Sequence, residues 1–292
     1  MGPTDAELGE WRAAARIAAE AREFGARRAA PGVLRRALAD EIEALIRDRG
    51  AQPAFPANLS RNSEAAHYTP SPDDTATFEA GDLVKIDVGA HVHGAVADTA
   101  TTVEVGGSRR YENLIAAARE AVEAGIAAVR GGVAVDEISR AVEGAIHARG
   151  LKPVSNLSGH TIERYLLHAG KSIPNVSGMS GDHLTAGEIV AIEPFATNGV
   201  GEIEDGEFGN IVRFRANPIG SDPELGRLFE RFRTLPFTAR WVSPAERRVL
   251  GRSRRSLQAY PVFVERGGGW VAQAEHTVRV LADGVERLTG GP

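Results

Sequence analysis

Cysteine is absent from this 292-residue chain. That absence removes disulfides, thiolate zinc sites and cysteine nucleophiles together, and it fits a reducing compartment. No run approaches the roughly 20 apolar residues of a membrane span, and the N-terminus lacks the basic-then-apolar pattern of a secretory signal. The Ala/Arg-rich stretch from Trp11 to Arg28 has the composition of a transit peptide, but Glu7, Glu10, Glu20 and Glu23 argue against one. A cytoplasmic protein without membrane contact is therefore expected. A phosphate-binding glycine loop is also missing: Gly267-Gly268-Gly269 has no Lys-Ser/Thr after it and reads as a hairpin turn. Ser63 and His67 share one short stretch but have no oxyanion or triad context, so serine-hydrolase chemistry has no support. A net charge of −5 gives no reason to expect global nucleic-acid binding.

What the chain does have is a set of acids and imidazoles inside apolar strings. Lys85-Ile86-Asp87-Val88-Gly89, Val96-Ala97-Asp98-Thr99-Ala100, Leu157-Ser158-Gly159-His160, Ile189-Val190-Ala191-Ile192-Glu193 and Val271-Ala272-Gln273-Ala274-Glu275 each place a metal-ligating side chain on a strand edge or the turn beside it. A carboxylate taken out of water costs several kcal/mol or changes its protonation, so a cluster of them needs cations. Four carboxylates and one imidazole suit a two-metal hydrolytic site. The mostly oxygen donor set favours Mn, Fe or Co, with Zn as a further option, and is too acidic for a structural zinc site.

Asp87 and Asp98 flank turn material, His91-Val92-His93-Gly94. A hairpin there would bring the two carboxylates near each other, opposed residues lying about 4.5–5.5 Å apart at Cβ. His160 and His168 would be roughly 26 Å apart on one straight strand, so both serve one site only if the chain bends. His67, in Ala66-His67-Tyr68-Thr69-Pro70, is a further candidate, whereas His91, His93, His147, His183 and His276 read as structural. His276 should face away from Glu275 across the strand.

The first fifty residues read as two helices. Thr4 with Glu7 forms a capping-box pattern, and Val33, Leu34, Ala37, Leu38, Ile42, Leu45 and Ile46 recur at helical spacing. Strand-rich sequence follows to about Val105, then helices over Tyr111 to Arg130 and Val135 to Arg149, then a second strand-rich half. Ala80-Gly81-Asp82-Leu83-Val84-Lys85-Ile86-Asp87 returns 106 residues later as Ala186-Gly187-Glu188-Ile189-Val190-Ala191-Ile192-Glu193, and Asn58-Leu59-Ser60 returns as Asn156-Leu157-Ser158. Short matches arise by chance, but both long copies end in a candidate ligand, which points to duplicated halves meeting at one metal centre. From Asp222 to Arg255 nine Arg face four acids. This stretch, about 217–258, reads as a helical insert with starts at Asp222-Pro223-Glu224 and Ser243-Pro244-Ala245-Glu246 within one domain spanning 1–292.

These strings together resemble type 2 methionine aminopeptidases in their short, archaeal-like form, members of the M24 peptidases. The match runs from about Phe55 to Thr289 and adds His168-Ala169-Gly170-Lys171, Glu193-Pro194-Phe195-Ala196-Thr197 and Phe232-Arg233-Thr234-Leu235-Pro236-Phe237 to the strings above. The resemblance implies an α/β (α+β) pita-bread fold with two pseudo-symmetric halves around a dinuclear metal site. It also implies that Asp87 chelates one metal, that Asp98 and Glu275 bridge both, and that His160 with Glu193 completes the other. A water whose pKa the cations lower would attack the carbonyl after the initiator methionine. By the same resemblance Glu193 moves the proton, His67 and His168 hold the scissile amide, and Phe55, Pro236 and Tyr260 wall the methionine pocket. Asn210-Ile211 stand where other members carry a pocket histidine.

The implied substrate is the N-terminus of a nascent polypeptide with a small second residue, and the chain is expected to be a monomer. Proline-specific aminopeptidases and dipeptidases share the fold and the ligand order, but the insert and the strings around His67, His168 and Pro236 favour methionine removal. Non-catalytic RNA- or protein-binding homologues typically lose ligands, and all five are present here. Clustered Arg favours phosphate contacts, which keeps open a ribosome contact through the insert.

Overall fold

The computed structural model describes residues 3–218 and 222–290, so residues 219–221 of the expected insert lie outside the described residues. Helix α1 (Asp5–Arg28) starts at Thr4, whose side chain accepts from the Glu7 amide while Glu7 reaches back, as the capping box requires. Helix α2 (Arg35–Asp48) starts two residues later than its periodicity suggests. Leu34 is the cap residue, and it forms a single bridge with Thr77 instead of a helical turn.

Short strands β1 (Gln52–Pro53), β2 (Asn58–Arg61) and β3 (Glu64–Ala66) lead to the hairpin of β4 (Leu83–Val92) and β5 (Ala95–Glu104). Its loop is His93-Gly94, both at positive φ (47° and 85°), the geometry of a two-residue turn that matches strand twist. Then come α3 (Glu112–Ala128), α4 (Val135–Ala148), β6 (Lys152–Pro153), β7 (Ser158–Ile162), β8 (Ser172–Pro174), β9 (Ile189–Ile192), β10 (Phe195–Thr197) and the long β11 (Ile203–Phe214). Helices α5 (Pro223–Phe232) and α6 (Pro244–Arg252) flank β12 (Phe237–Thr238). The chain closes with β13 (Leu257–Glu265), β14 (Val271–Gln273), β15 (Glu275–Leu281) and β16 (Gly284–Arg287).

The main sheet runs β1-β4-β5-β15-β9-β7-β8, all antiparallel, with β2 on β4 and β16 on β15. Helix pairs α1/α2 and α3/α4 pack on the two halves of this sheet and build two apolar cores, one around Ile42, Ile86 and Ala21, the other around Val142, Ile192 and Ala121. The halves repeat down to single atoms. A Cβ on Gly25 of α1 would lie 2.8 Å from side-chain carbons of Ile42 and Ile86, and one on Gly125 of α3 would lie 2.9 Å from Val142 and 3.0 Å from Ile192. Each glycine lets its helix settle at the crossing of helix and strand. Ile86 and Ile192 are the residues just before Asp87 and Glu193, so the sequence repeat and the packing repeat coincide.

The segment expected as an insert begins where its caps predict. Asp222 accepts from the Glu224 amide, and Ser243 forms a capping box with Glu246. Its two helices bury Leu225, Leu228, Phe229 and Leu250 against Phe214 and Phe237 in a small core of their own. It is not purely helical, because β12 joins the sheet β12-β11-β13-β3. The Gly267–Gly269 turn also departs from expectation: β13 and β14, which it links, belong to different sheets. Instead of closing a hairpin, the turn folds around the buried Glu265 carboxylate, which accepts from the amides of Val200, Gly201, Gly267 and Gly269.

Candidate metal centre

Register places the candidate ligands. In the β4–β5 hairpin Asp87 pairs with Ala100, and Asp98 pairs with Gly89. The two acids are thus diagonal neighbours, not the opposed pair expected, because the loop has two residues rather than four. Both still project to one face, since side chains two apart along a strand share a face. Ala100 pairs in turn with Glu275 of β15, and on the far side of Asp87 stands Asn58 of β2. Asn58, Asp87, Ala100 and Glu275 therefore form a row across four strands. Gly89 leaves space beside Asp98 that the Phe55 ring fills, a Cβ there lying 2.3 Å from the ring.

Where β5 meets β15 the backbone ladder is only two pairs long. Threonines extend it. Thr277 Oγ1 accepts from the Asp98 amide (2.8 Å) and donates to the Asp98 carbonyl (2.7 Å), and Thr99 Oγ1 donates to the Glu275 carbonyl (2.8 Å). Thr102 Oγ1 does the same for both backbone groups of Gln273, at 2.7 and 2.8 Å. These bonds fix the backbones of Asp98, Gln273 and Glu275 from the side.

The second half contributes His160 from β7 and Glu193 just after β9. Nε2 of His160 lies 3.4 Å from Glu193 Oε1 and 3.8 Å from Asp98 Oδ2. Donor atoms of Asp98, His160 and Glu275 all lie within 4.8 Å of one another, and the three residues are at most 5 % exposed. One oxygen each of Asp87, Asp98 and Glu275 is buried with no hydrogen-bond partner. Burial raises the Asp87 carboxyl to about 7, and burial plus neighbouring carboxylates raises Asp98, Glu193 and Glu275 well above their usual range. Burial likewise holds His160 well below the ordinary imidazole value. Unpartnered acceptors and mutually repelling acids around a neutral imidazole are what divalent cations would satisfy. The residues present fit the group that the sequence implies.

Beyond the ligands lies a cavity of about 250 Å³. His168 reaches it because the chain turns back after β7. Tyr165 takes positive φ (58°), its amide donates to the Gly94 carbonyl (2.8 Å), and the Ala169 amide donates to Thr161 (2.8 Å). The His168 ring ends 4.3 Å from that of His160, so the bend that one site requires is present. His67, at φ 66°, packs edge-on against Tyr260 at 5.2 Å and hydrogen-bonds the Pro261 carbonyl through Nδ1 (3.3 Å). Burial lowers both imidazoles to about 4, which keeps them neutral at physiological pH. Phe55, Pro236 and Tyr260 line the same cavity. Of the Asn210-Ile211 pair, Ile211 lines it, while Asn210 donates to the Thr69 carbonyl. His276 faces away, toward Thr289 and Arg22, as its position after Glu275 requires.

Residues 9–280 match metallopeptidase family M24. The chain belongs to this family. It is 44 % identical over 282 residues to the methionine aminopeptidase of Archaeoglobus fulgidus, covering 94 % of this chain and 96 % of that protein. Identity to the methionine aminopeptidase of Methanocaldococcus jannaschii is 40 % over 284 residues, with the same shares covered. In fold the chain matches the crystal structure of a methionine aminopeptidase from Thermotoga maritima with a TM-score of 0.75 at 22 % identity, covering 100 % and 99 % of the two chains. The pita-bread architecture of M24 enzymes is thus the architecture of this chain.

Sequence reasoning missed Gln273. It is 1 % exposed, and its Nε2 lies 3.5 Å from Glu193 Oε2 and 3.4 Å from Glu275 Oε2. A hydrogen bond from it also lowers Asp87, opposing the effect of burial. A neutral donor between three acids orients them without adding charge. The available signal was its place two residues before Glu275, the spacing that puts two side chains on one side of an extended chain. Gln273→Ala should weaken metal affinity about 10–100-fold without unfolding the protein, a range usual for groups that orient metal ligands. Competition with a metal-sensitive dye measures this, and unchanged affinity would remove Gln273 from the site.

Proposed function

We propose that this M24 enzyme is a type 2 methionyl aminopeptidase that removes the initiator methionine when the second residue is small. The observation that carries the reading is a single cavity whose lining joins the apolar Phe55, Ile211 and Tyr260 to Asp87, Asp98, His160 and Glu193, with His67 and His168 in the same lining. In this reading Asp87, Asp98, His160, Glu193 and Glu275 hold two divalent ions of the Mn, Fe, Co or Zn type. When bound, such ions polarise a carbonyl and lower the pKa of water.

The chain's own residues do the rest. The cavity takes the unbranched first side chain and sets the scissile carbonyl beside the acids. Glu193 takes the proton of the attacking water and passes it to the leaving amine. Neutral His67, with Nδ1 engaged by Pro261, keeps Nε2 free for the substrate amide. His168 supports the charge that develops on the carbonyl oxygen. Limited room next to the acids restricts the second residue.

The whole chain acts as one catalytic domain, with 217–258 as an inserted subdomain, in the cytoplasm and as a monomer; among the described residues no helix is long and apolar enough to cross a membrane. The insert is the surface proposed to meet the ribosome during synthesis. Arg227, Arg231, Arg233 and Arg240 have carboxylate partners, but Arg247, Arg248, Arg252, Arg254 and Arg255 have no ion pair among the described residues. Phosphate contacts suit such a group. Ribosome co-sedimentation that does not weaken with added salt would remove this surface from consideration.

Asp98→Asn and Glu275→Gln should abolish methionine release while the protein stays folded, and His168→Ala should lower kcat by about 10²–10³-fold with metal content unchanged. Activity at the wild-type level with excess metal in the first two, or metal loss in the third, contradicts these roles. Substrate choice is the second test. Met-Ala-Ser should be cleaved far better than Leu-Ala-Ser or Xaa-Pro peptides, although one methylene is worth only about 1–3 kcal/mol in an apolar pocket. Efficient cleavage of Xaa-Pro peptides irrespective of the first residue would move the chain to the proline-specific branch of the family.

A further inference from the structure

Among the nine arginines of the insert, Arg240 differs from the rest. It lies in the short 3-10 turn Ala239–Trp241, and its side chain is 4 % exposed. Every guanidinium nitrogen finds an acceptor. Nε donates to the Pro70 carbonyl (3.1 Å), Nη1 to Asp40 Oδ1 (2.6 Å) and Glu43 Oε2 (2.9 Å), and Nη2 to Glu43 Oε1 (2.6 Å) and Thr69 Oγ1 (3.1 Å). Glu43 of α2, 1 % exposed, is saturated in turn, accepting from the Ala57 amide (3.2 Å) and from Trp241 Nε1 (2.5 Å). Thr69 Oγ1 completes the circuit by donating to the Ala57 carbonyl (2.9 Å).

The two segments this circuit joins each carry a residue of the cavity wall. Ala57 lies two residues after Phe55, and Thr69 lies two residues after His67. Pro236, the insert's own contribution to the cavity, precedes Arg240 by four residues. A bidentate guanidinium–carboxylate pair sets angle as well as distance, and a fully bonded one has no spare acceptor to slide to. We infer that the buried Arg240–Glu43 pair is a positioning device for the first-residue pocket, holding the Phe55 and His67 segments and the insert at one separation. The inference rests on the aminopeptidase reading for the identity of the side chain in the pocket. It assigns the insert a role in specificity that is separate from any outer surface it presents.

Removing one partner alone would leave a buried charge and could unfold the protein, so the decisive variant replaces both, Glu43→Leu with Arg240→Met, at similar volume. In this double variant the Met-Ala-Ser over Leu-Ala-Ser preference in kcat/KM should fall about tenfold, through KM, with kcat and metal content near wild type. Arg240→Lys, whose single ammonium cannot span Pro70, Glu43 and Thr69 together, should fall between wild type and the double variant. Unchanged KM and preference in the double variant overturn the proposal, as does an effect confined to kcat or accompanied by metal loss. Amide hydrogen exchange, read without any substrate, separates this from the fate of the functional reading. Exchange should quicken in 55–58 and 67–70 and stay unchanged in β7 and β9. Should the wild-type protein fail to cleave Met-Ala-Ser, the functional reading falls; unchanged exchange in those two segments overturns the positioning role whatever the substrate.

Discussion

Four carboxylates crowd one nearly dry site, and the rest of the architecture can be understood as the means of holding them there. Left to themselves, Asp98, Glu193 and Glu275 would take up protons, as burial and mutual repulsion both dictate. A protonated acid is a poor metal ligand, so in the proposed site cations would keep the donors charged while the fold keeps those donors together. That reciprocity explains why the surrounding bonds go to backbone. The threonine hydroxyls of β5 and β15 bind the amides and carbonyls of Asp98, Gln273 and Glu275 and leave the carboxylate oxygens free. Had those hydroxyls bonded the carboxylates, the acids would have been satisfied and the site lost.

Two pseudo-symmetric halves supply the scaffold for this arrangement. Each half carries a helix pair, a glycine at the helix–strand crossing and an acid directly after the strand isoleucine that this glycine packs on, and the equivalent contacts of Gly25 and Gly125 show that the likeness extends into the packing. Neither half holds all five candidate ligands. The hairpin of the first half brings Asp87 and Asp98, the second brings His160 and Glu193, and Glu275 lies on the strand between them. A site built on the seam is supported by both cores, whereas the cavity wall combines strand residues such as Ile211 and Tyr260 with residues of the connecting segments, Phe55, His67 and Pro236.

This division also decides what could be read from the amino-acid sequence. Helix starts at Thr4, Asp222 and Ser243 were legible because capping is decided within four residues. The four acids and the imidazole were legible as candidates because each stands among apolar neighbours, and the family strings around them are specific. The diagonal register of Asp87 and Asp98 was not, since it turns on whether the hairpin loop has two residues or four. The return of His168 to His160 depends on Tyr165 at positive φ and on a bond to Gly94, seventy-one residues away in the chain. Nothing local encodes that. Gln273 reads as an ordinary polar strand residue, and the Gly267–Gly269 turn conceals its purpose until Glu265 is seen inside it.

Arg240 shows the same limit from the side of charge. In a list of residues it is one of nine arginines in a basic stretch, and composition alone would put it on the surface with Arg248, Arg252 and Arg255. What separates it is the number of acceptors converging from elements far apart in the chain: Asp40 and Glu43 on α2, Thr69 and Pro70 beyond His67. A cation in that position is stable only because its partners are already held by the first core, and it returns the constraint by holding the segments that carry them. The candidate metal centre and the cavity wall thus use one physical device at two scales. In each, buried charge of one sign is tolerated only beside charge of the other, which Arg240 supplies at the wall and bound cations would supply at the acid cluster.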